Sequence, residues 1–298
     1  MPRQISAITK SILLLSILAL SQLACAQSKT VSVNDPRPVA KAVQMLENIY
    51  GWPITYEDTV TVNESLLEDV TEQVRSDPDP THDPDPSHRV IVQKGGTLSF
   101  SYKLPTPGAS QGGGRPQSKA ETEADVANAL SSVLEGYANS RGLETFAVTE
   151  EDGVFHVFPI NFLNDAGKLQ QMIPILDTKI TIPPKQRTRV ALLQEICRSL
   201  TDSTGISVVP GMFPFNGEQP KIITTISGSD VTARSLLSKL LAEWGARYSR
   251  DVVVGLPNGP REKRNVILDK GAPMTWQLFF GPGWGYALNI HKVTLQDQ

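Results

Sequence analysis

The side chains best suited to bind a metal ion lie in one stretch, "SDPDPTHDPDPSHR", at residues 76–89. Pro fixes its own φ and moves the residue before it out of the helical region, so the stretch favours polyproline II. That helix repeats every three residues and places Asp79, His82, Asp85 and His88 on one face. Successive rungs are ~9 Å apart, whereas metal ligands converge to ~2 Å from the ion. We therefore interpret the stretch as a solvated spacer, with weak metal binding by these four residues as the alternative.

The remaining candidate residues give no catalytic constellation. His156 and His291 fall in "VFHVF" and "NIHKV", on the last predicted strand of each half, and we interpret them as a shared surface position. The segment "GASQGGGRPQS" lacks the Gly-Lys-Ser/Thr ending of a phosphate loop and is typical of a flexible surface loop. The sequence thus predicts no catalytic residue and no cofactor.

An aromatic cluster near the C-terminus is the last candidate site. It contains Trp276, Phe279, Phe280, Trp284 and Tyr286. Alternation along a β-hairpin predicts that these rings pack in a core. The alternative is a platform that binds a peptide or a glycan.

The N-terminus has the pattern of an export signal. Arg3 and Lys10 precede an apolar run from Ile12 to Leu20, which is too short to span a bilayer. Ala24-Cys25-Ala26 follows, with the small residues that a signal peptidase requires. We expect residues 1–26 to be removed, which leaves no transmembrane span and an exported protein, periplasmic or extracellular. Lipidation at Cys25 is the alternative.

Composition excludes several classes of protein. The chain of 298 residues carries 28 Lys and Arg against 31 Asp and Glu, and this mildly acidic balance does not favour nucleic acid. After signal removal only Cys197 remains, so no intramolecular disulfide can form, and its helical apolar setting indicates a buried residue. Stability must therefore come from hydrophobic cores, and the length is sufficient for one large or two ordinary domains.

Two segments of the chain repeat one pattern. The segments that begin at Val31 and Lys179 each read as a strand, a Pro-marked turn, an amphipathic helix that ends at Gly51 or Gly205, and a second strand. A third strand, a second helix and a closing hairpin follow in both copies. The first copy is longer between its helices, and we assign the excess to low-complexity insertions at about 75–89 and 105–119. The predicted domains are residues 27–165 and 166–298.

The second copy resembles a known family. The order strand "KITIPP", helix ending at Thr204-Gly205, strands "ISVV" and "KIITTISG", and helix "SLLSKLLAEWGARY" is similar to the short N-terminal (STN-like) domain of secretins and TonB-dependent receptors. The entry Gly228-Ser-Asp-Val-Thr232 fits as well. The resemblance covers residues 179–248 and, more weakly, the first copy. It implies a periplasmic protein–protein docking module, and since no secretin ring segment or series of barrel strands follows, it does not imply a pore.

These patterns predict an α+β fold of two related β-α-β-β-α units, each closed by a β-hairpin, with small sheets packed on helices. The predicted function is a non-catalytic, exported protein–protein interaction or ligand-binding module of the cell envelope. An envelope hydrolase with a non-local active site, and a glycan- or peptide-binding module that uses the C-terminal aromatics, are the alternatives.

For the interaction we expect strand addition by an envelope protein at residues 286–293, because no later strand of the sequence covers them. The candidate residues are Trp284, Tyr286, Ala287, Asn289 and His291. The competing arrangement makes this strand central, flanked by residues 251–255.

Overall fold

The computed structural model describes residues 28–75, 89–105, 118–141, 145–213, 222–245, 248–254, 262–269 and 273–294. The predicted signal peptide and the metal candidates Asp79, His82, Asp85 and His88 lie outside these residues. The fold is mixed α+β, with small sheets packed against a few helices, as predicted. None of the helices in the described ranges is long and apolar enough to cross a bilayer.

The order of elements is as follows. The helices are α1 (Pro38–Tyr50), α2 (Thr71–Arg75), α3 (Lys119–Arg141), α4 (Arg189–Thr204) and α5 (Ala233–Gly245). The strands of the first half are β1 (Ser28–Asp35), β2 (Ile54–Glu57), β3 (Leu67–Asp69), β4 (Ile91–Gln93), β5 (Gly96–Lys103), β6 (Phe146–Glu151) and β7 (Val154–Pro159). A short pair follows, β8 (Asn161–Leu163) and β9 (Leu169–Gln171). The strands of the second half are β10 (Lys179–Ile182), β11 (Arg187–Thr188), β12 (Val208–Pro210), β13 (Ile223–Thr224), β14 (Gly228–Thr232), β15 (Tyr248–Val254), β16 (Glu262–Asp269), β17 (Met274–Gly281) and β18 (Gly285–Lys292).

The two halves share one topology. In the first repeat, residues 28–159, β1 pairs antiparallel with β5, β2 pairs parallel with β7, and β6 and β7 form a hairpin. In the second repeat, residues 179–292, β10 pairs antiparallel with β14, β12 pairs parallel with β18, and β17 and β18 form a hairpin. The duplicated pattern read from the sequence therefore corresponds to a duplicated arrangement of strands.

Helices α1 and α4 match each other, and this explains why the duplication can be recognised in the sequence. Helices α1 and α4 both end at a glycine in the left-handed region, Gly51 with φ of 64° and Gly205 with φ of 70°, as their sequences predict. The amide of each glycine donates to the carbonyl four residues earlier, on Glu47 and on Thr201. Since the two helices end in the same way, Glu47 and Thr201 occupy equivalent positions.

The register of the parallel pairs extends this equivalence to the strands. The carbonyl before β2 accepts from the amide of Phe155, and the carbonyl before β12 accepts from the amide of Tyr286. The following pairs are therefore equivalent: Ile54 and Val208, Tyr56 and Pro210, Asp58 and Met212, Phe155 and Tyr286, His156 and Ala287, Val148 and Leu278, Glu150 and Phe280.

The repeats are joined into one sheet of six strands, in the order β12-β18-β17-β2-β7-β6. The junction is a parallel pairing of β17 with β2, in which Gln277 lies opposite Tyr56 and Leu278 opposite Glu57. Each repeat thus contributes three strands, and the hairpin of the second repeat adds to the first. We call the pairing of β2 with β17, together with the side chains packed over it, the seam.

The two hydrophobic cores lie on opposite faces of this sheet. Tyr56 belongs to the core of the first repeat and Leu278 to the core of the second. Leu278 shares its face with Glu57, which is adjacent to Tyr56 along β2 and therefore points the other way. The helices of one repeat consequently cover the opposite side of the sheet from those of the other.

The extra length of the first repeat is partly ordered. Between α1 and α3 the chain forms β3 and β4, which pair antiparallel, and the single helical turn of α2. The interpretation of the excess as low-complexity sequence alone was therefore incomplete.

Equivalent leucines provide a test of the duplicated core. Leu46 on α1 and Leu200 on α4 are both fully buried. We expect Leu46→Ala and Leu200→Ala each to lower the free energy of unfolding by ~2–5 kcal/mol in urea titrations, because each leaves a cavity in a packed core. Leu169→Ala, at an exposed leucine, is the control and should have little effect. A cost near zero at either buried site would contradict the assignment.

Candidate interaction surfaces

Strand β2 and the residue after it carry four consecutive polar side chains that are buried. Thr55, Tyr56, Glu57 and Asp58 are at most 3% exposed. Buried polar and charged groups destabilise a fold unless they find partners. All four lie against groups of the second repeat or against side chains that contact it.

Asp58 binds the backbone of the hairpin across the seam. Its Oδ2 accepts from the Phe280 amide at 2.9 Å and from Nε of Arg37 at 2.6 Å, while Oδ1 accepts from the Tyr56 hydroxyl at 2.7 Å. Arg37 also donates to the Phe280 carbonyl and lies over the ring of Phe279. Burial raises the pKa of Asp58, and the Arg37 guanidinium opposes that shift.

Glu57 forms an ion pair with the second repeat on the other face. Its Oε1 lies 2.5 Å from Nη1 of Arg234 on α5, and Arg234 also contacts Asp177 and lies over the ring of Phe158. Burial raises the pKa of Glu57 to about 7, and the positive charge of Arg234 limits the rise.

His156 is buried in the same layer. Its Nδ1 lies 2.8 Å from the Thr55 hydroxyl, and its ring stacks on Trp276 of β17. Burial, and then the charge of Arg234, lower the pKa of His156 to about 4, so the ring is neutral at pH 7. The prediction that His156 occupies a surface position was therefore wrong.

His291 is not the counterpart of His156. The register makes Ala287 the equivalent of His156, four residues away along β18. The Nε2 of His291 instead lies 2.9 Å from Oε2 of Glu47, whose Oε1 accepts from the Ile54 amide. This contact is a third polar bridge between the repeats.

The predicted interaction site on β18 has no free strand edge at residues 286–288. Tyr286, Ala287 and Leu288 pair with β17 on one side and with β12 on the other. The strand is central in this region, and its second neighbour is β12 rather than residues 251–255. Tyr286 is fully buried in the core. The hypothesis that residues 286–293 accept an added strand was therefore wrong.

Most of the C-terminal aromatic side chains are core residues. Trp276, Phe280 and Tyr286 belong to the core of the second repeat, and Phe279 packs against the core of the first. Trp284 is half-exposed and lies over Gly281, where a Cβ would meet its ring. The aromatics therefore do not form a broad exposed platform.

The outer edge of β12 is closed by side chains. The Thr201 hydroxyl accepts from the Val208 amide at 2.9 Å, Pro210 has no amide hydrogen, and the Met212 amide donates to the side chain of Asn289. Val208, Pro210 and Met212 are equivalent to Ile54, Tyr56 and Asp58, the positions of the first repeat that face the seam. The edge that β2 uses in the seam is thus blocked in the second repeat.

Among the residues that the structure describes, none pairs with the outer edge of β6. A two-residue turn at Asp152-Gly153 makes Glu151 and Val154 a hydrogen-bonded pair, and the antiparallel alternation then directs the backbone of Phe146, Val148 and Glu150 away from β7. The equivalent edge of β17 carries the seam, so β6 presents an unused copy of an established interface.

A small cleft adjoins the start of β6. It is lined by Arg37, Asp58, Gln93, Tyr137 and other residues, and its volume of about 40 Å³ is enough for one or two water molecules. Its carboxylate is already bound by Arg37 and Tyr56. The cleft therefore offers little room for a substrate.

One sequence motif of hydrolases falls outside the described residues. The spacing Gly-x-Ser-x-Gly occurs at 108–112, around Ser110. In that motif the serine lies on a sharp turn between a strand and a helix. Here β5 ends at Lys103 and α3 begins only at Lys119, so neither element flanks the segment directly. Within the described ranges no cluster of three potential metal ligands occurs.

No protein-family model, no curated protein and no solved structure matches the chain. The resemblance of residues 179–248 to STN-like domains therefore stays a prediction.

Two of the seam groups with a shifted pKa, Glu57 and His156, should change the pH dependence of stability in opposite directions. His156 has a lower pKa when folded, so it makes stability rise with pH between about 4 and 6.5. Glu57 has a higher pKa when folded, so it makes stability fall between 4.5 and about 7. We expect Glu57→Gln to steepen the rise and His156→Gln to produce a fall, each by up to ~1.4 kcal/mol per pH unit.

Urea unfolding at several values between pH 4.5 and 7.5 measures both slopes. Both variants keep every other titrating group, so the difference in slope from the natural protein isolates one residue. Equal slopes in the two variants would contradict the assignment.

Proposed function

We propose that the protein is a non-catalytic, exported interaction module of the cell envelope, and that it binds its partner by adding a strand to the outer edge of β6. The observation that carries this proposal is the seam. In the seam, β17 binds β2 as a parallel neighbour along its outer edge, and that edge of β17 is equivalent to the outer edge of β6. A row of free backbone donors and acceptors is a ready site for an added strand.

The chemistry of the seam supports interaction rather than hydrolysis. Glu57 and His156 have the shifted pKa values that catalytic groups often show. Both are 1% exposed and are held by Arg234, Thr55 and Trp276. These contacts hold the repeats together, and a substrate could reach the two groups only if the seam opened.

The aromatic alternative has less support for a similar reason. Sugar or peptide platforms need flat exposed rings. Of the predicted set, Trp284 is the ring with half of its surface exposed, and it lies over Gly281 at the turn of the β17–β18 hairpin.

A proline at the centre of the edge tests the proposal. Val148 directs its amide away from β7, so Val148→Pro should abolish partner binding without breaking a ladder hydrogen bond. Partner binding is measured by affinity capture from the cells that produce the protein, and stability by thermal melting. We expect the melting temperature of Val148→Pro to stay close to that of Val148→Ala.

Two variants control this experiment. Val148→Ala removes the same packing against the core but keeps the amide, so it should retain the partner. Thr149→Pro removes an amide that faces β7 and should destabilise the fold outright. A partner that binds Val148→Pro as well as Val148→Ala would refute strand addition at β6.

A further inference from the structure

The seam specifies what kind of strand fits the edge of β6. In the seam, the Asp58 amide donates to the Leu278 carbonyl, and the Asp58 carboxylate then accepts from the Phe280 amide. The added strand therefore runs parallel to the hairpin arm and ends with a side chain that contacts the backbone at position 280. On β6 the equivalents of Leu278 and Phe280 are Val148 and Glu150.

Neither β2 nor β12 of a second copy can supply such a strand. The two strands of the right kind are β2 and β12. Strand β2 already has β7 and β17 on its two sides. The outer edge of β12 is closed by Thr201, Pro210 and Asn289. The two strands that form this kind of contact in the repeats are therefore unavailable to the edge of β6, which favours a strand from a different protein.

The charges at the end of the edge differ from those in the seam. Where the seam has Phe280 and Gly281, β6 has Glu150 and Glu151, and Asp152 follows in the turn; all three are exposed. One Glu150 oxygen accepts from the Gly153 amide, and Lys119 lies beside the turn and offsets part of the charge. A carboxylate in the position of Asp58 would be repelled here, whereas a Lys or Arg would be attracted.

We infer that the partner at β6 is a different protein, whose strand lies parallel to β6 and carries Lys or Arg side chains where it meets Glu150 and Glu151. This inference rests on the proposed function. It adds that the partner is a different protein and that its strand is positively charged. The acidic end discriminates against a β2-like strand with its own carboxylates, and the closed edge of β12 prevents copies of the chain from repeating the seam contact through β12.

Photo-crosslinking in the cells that produce the protein tests both parts. The probe is p-benzoylphenylalanine in place of Thr149, whose side chain is exposed beside the edge. The full chain is used, alone and with three changes: Val148→Pro, the pair Glu150→Lys with Glu151→Lys, and the pair Glu150→Gln with Glu151→Gln. The Gln pair keeps an acceptor for the Gly153 amide and removes only the charge.

We expect a crosslink to one different protein, within a segment that contains Lys or Arg. Val148→Pro should abolish it, the Lys pair should reduce its yield at least ~10-fold, and the Gln pair should reduce it less, because opposite charges at an interface favour association. Raising the ionic strength should also lower the yield with the natural acids.

The contrary outcomes separate the inference from the proposed function. A Val148-dependent crosslink between two copies of the chain, or one that the Lys pair leaves unchanged, would overturn the inference and leave strand addition intact. A crosslink whose yield Val148→Pro does not change would overturn both the inference and the proposed function. A crosslink yield at position 149 no higher than that of a control probe at the exposed position 169 would do the same.

Discussion

The structure depends on how the buried charges of β2 and its neighbours are satisfied. Glu57 and Asp58 are consecutive and point to opposite faces of the sheet. Glu57 finds its cation, Arg234, in the other repeat, whereas Asp58 is paired with Arg37 of its own repeat and accepts from the Phe280 amide of the other. Burying a carboxylate is costly, and a buried ion pair contributes little net stability compared with apolar packing. Removing one partner, however, leaves an uncompensated charge. The polar seam therefore specifies how the repeats join more than it strengthens the join, since a shifted register would separate the buried Glu57 carboxylate from Arg234.

The two repeats differ at the positions that decide whether the outer edge of β2 or β12 can pair with another strand. Glu47 and Thr201 are equivalent, and both accept from the amide of the first residue of the following strand, Ile54 or Val208. The longer Glu47 also reaches His291 of the other repeat, whereas the Thr201 hydroxyl closes on its own strand. Tyr56 corresponds to Pro210, and Pro cannot donate to a ladder. A few substitutions thus convert a joining edge into a closed one without changing the fold around it.

The sequence predicted local structure well and long-range pairing poorly, for physical reasons. Apolar spacing and the glycines at 51 and 205 fixed α1 and α4, because these signals act within a few residues. The pairing of β17 with β2 joins residues some 220 positions apart through polar side chains, and no periodicity signals it. The late position of β18 in the sequence predicts an edge strand, but order along the chain does not fix order in a sheet, and β18 lies between β12 and β17. His156 and His291 were matched by their place in similar sequences, and the strand register places them four residues apart.

The seam joins two different kinds of strand edge, that of β17 and that of β2. The two ends of the sheet, β6 and β12, therefore also carry different kinds of edge. Repetition of such a head-to-tail contact between separate chains would produce a ring or an open filament, depending on the rotation at each step. Closing either end is sufficient to stop that repetition, and here Thr201, Pro210 and Asn289 close the β12 end. The β6 end then carries no risk of extension by the same contact, because its counterpart edge is blocked in every copy. This asymmetry gives a physical reason why an exposed strand edge can persist in the fold: it is available to a partner that brings its own strand.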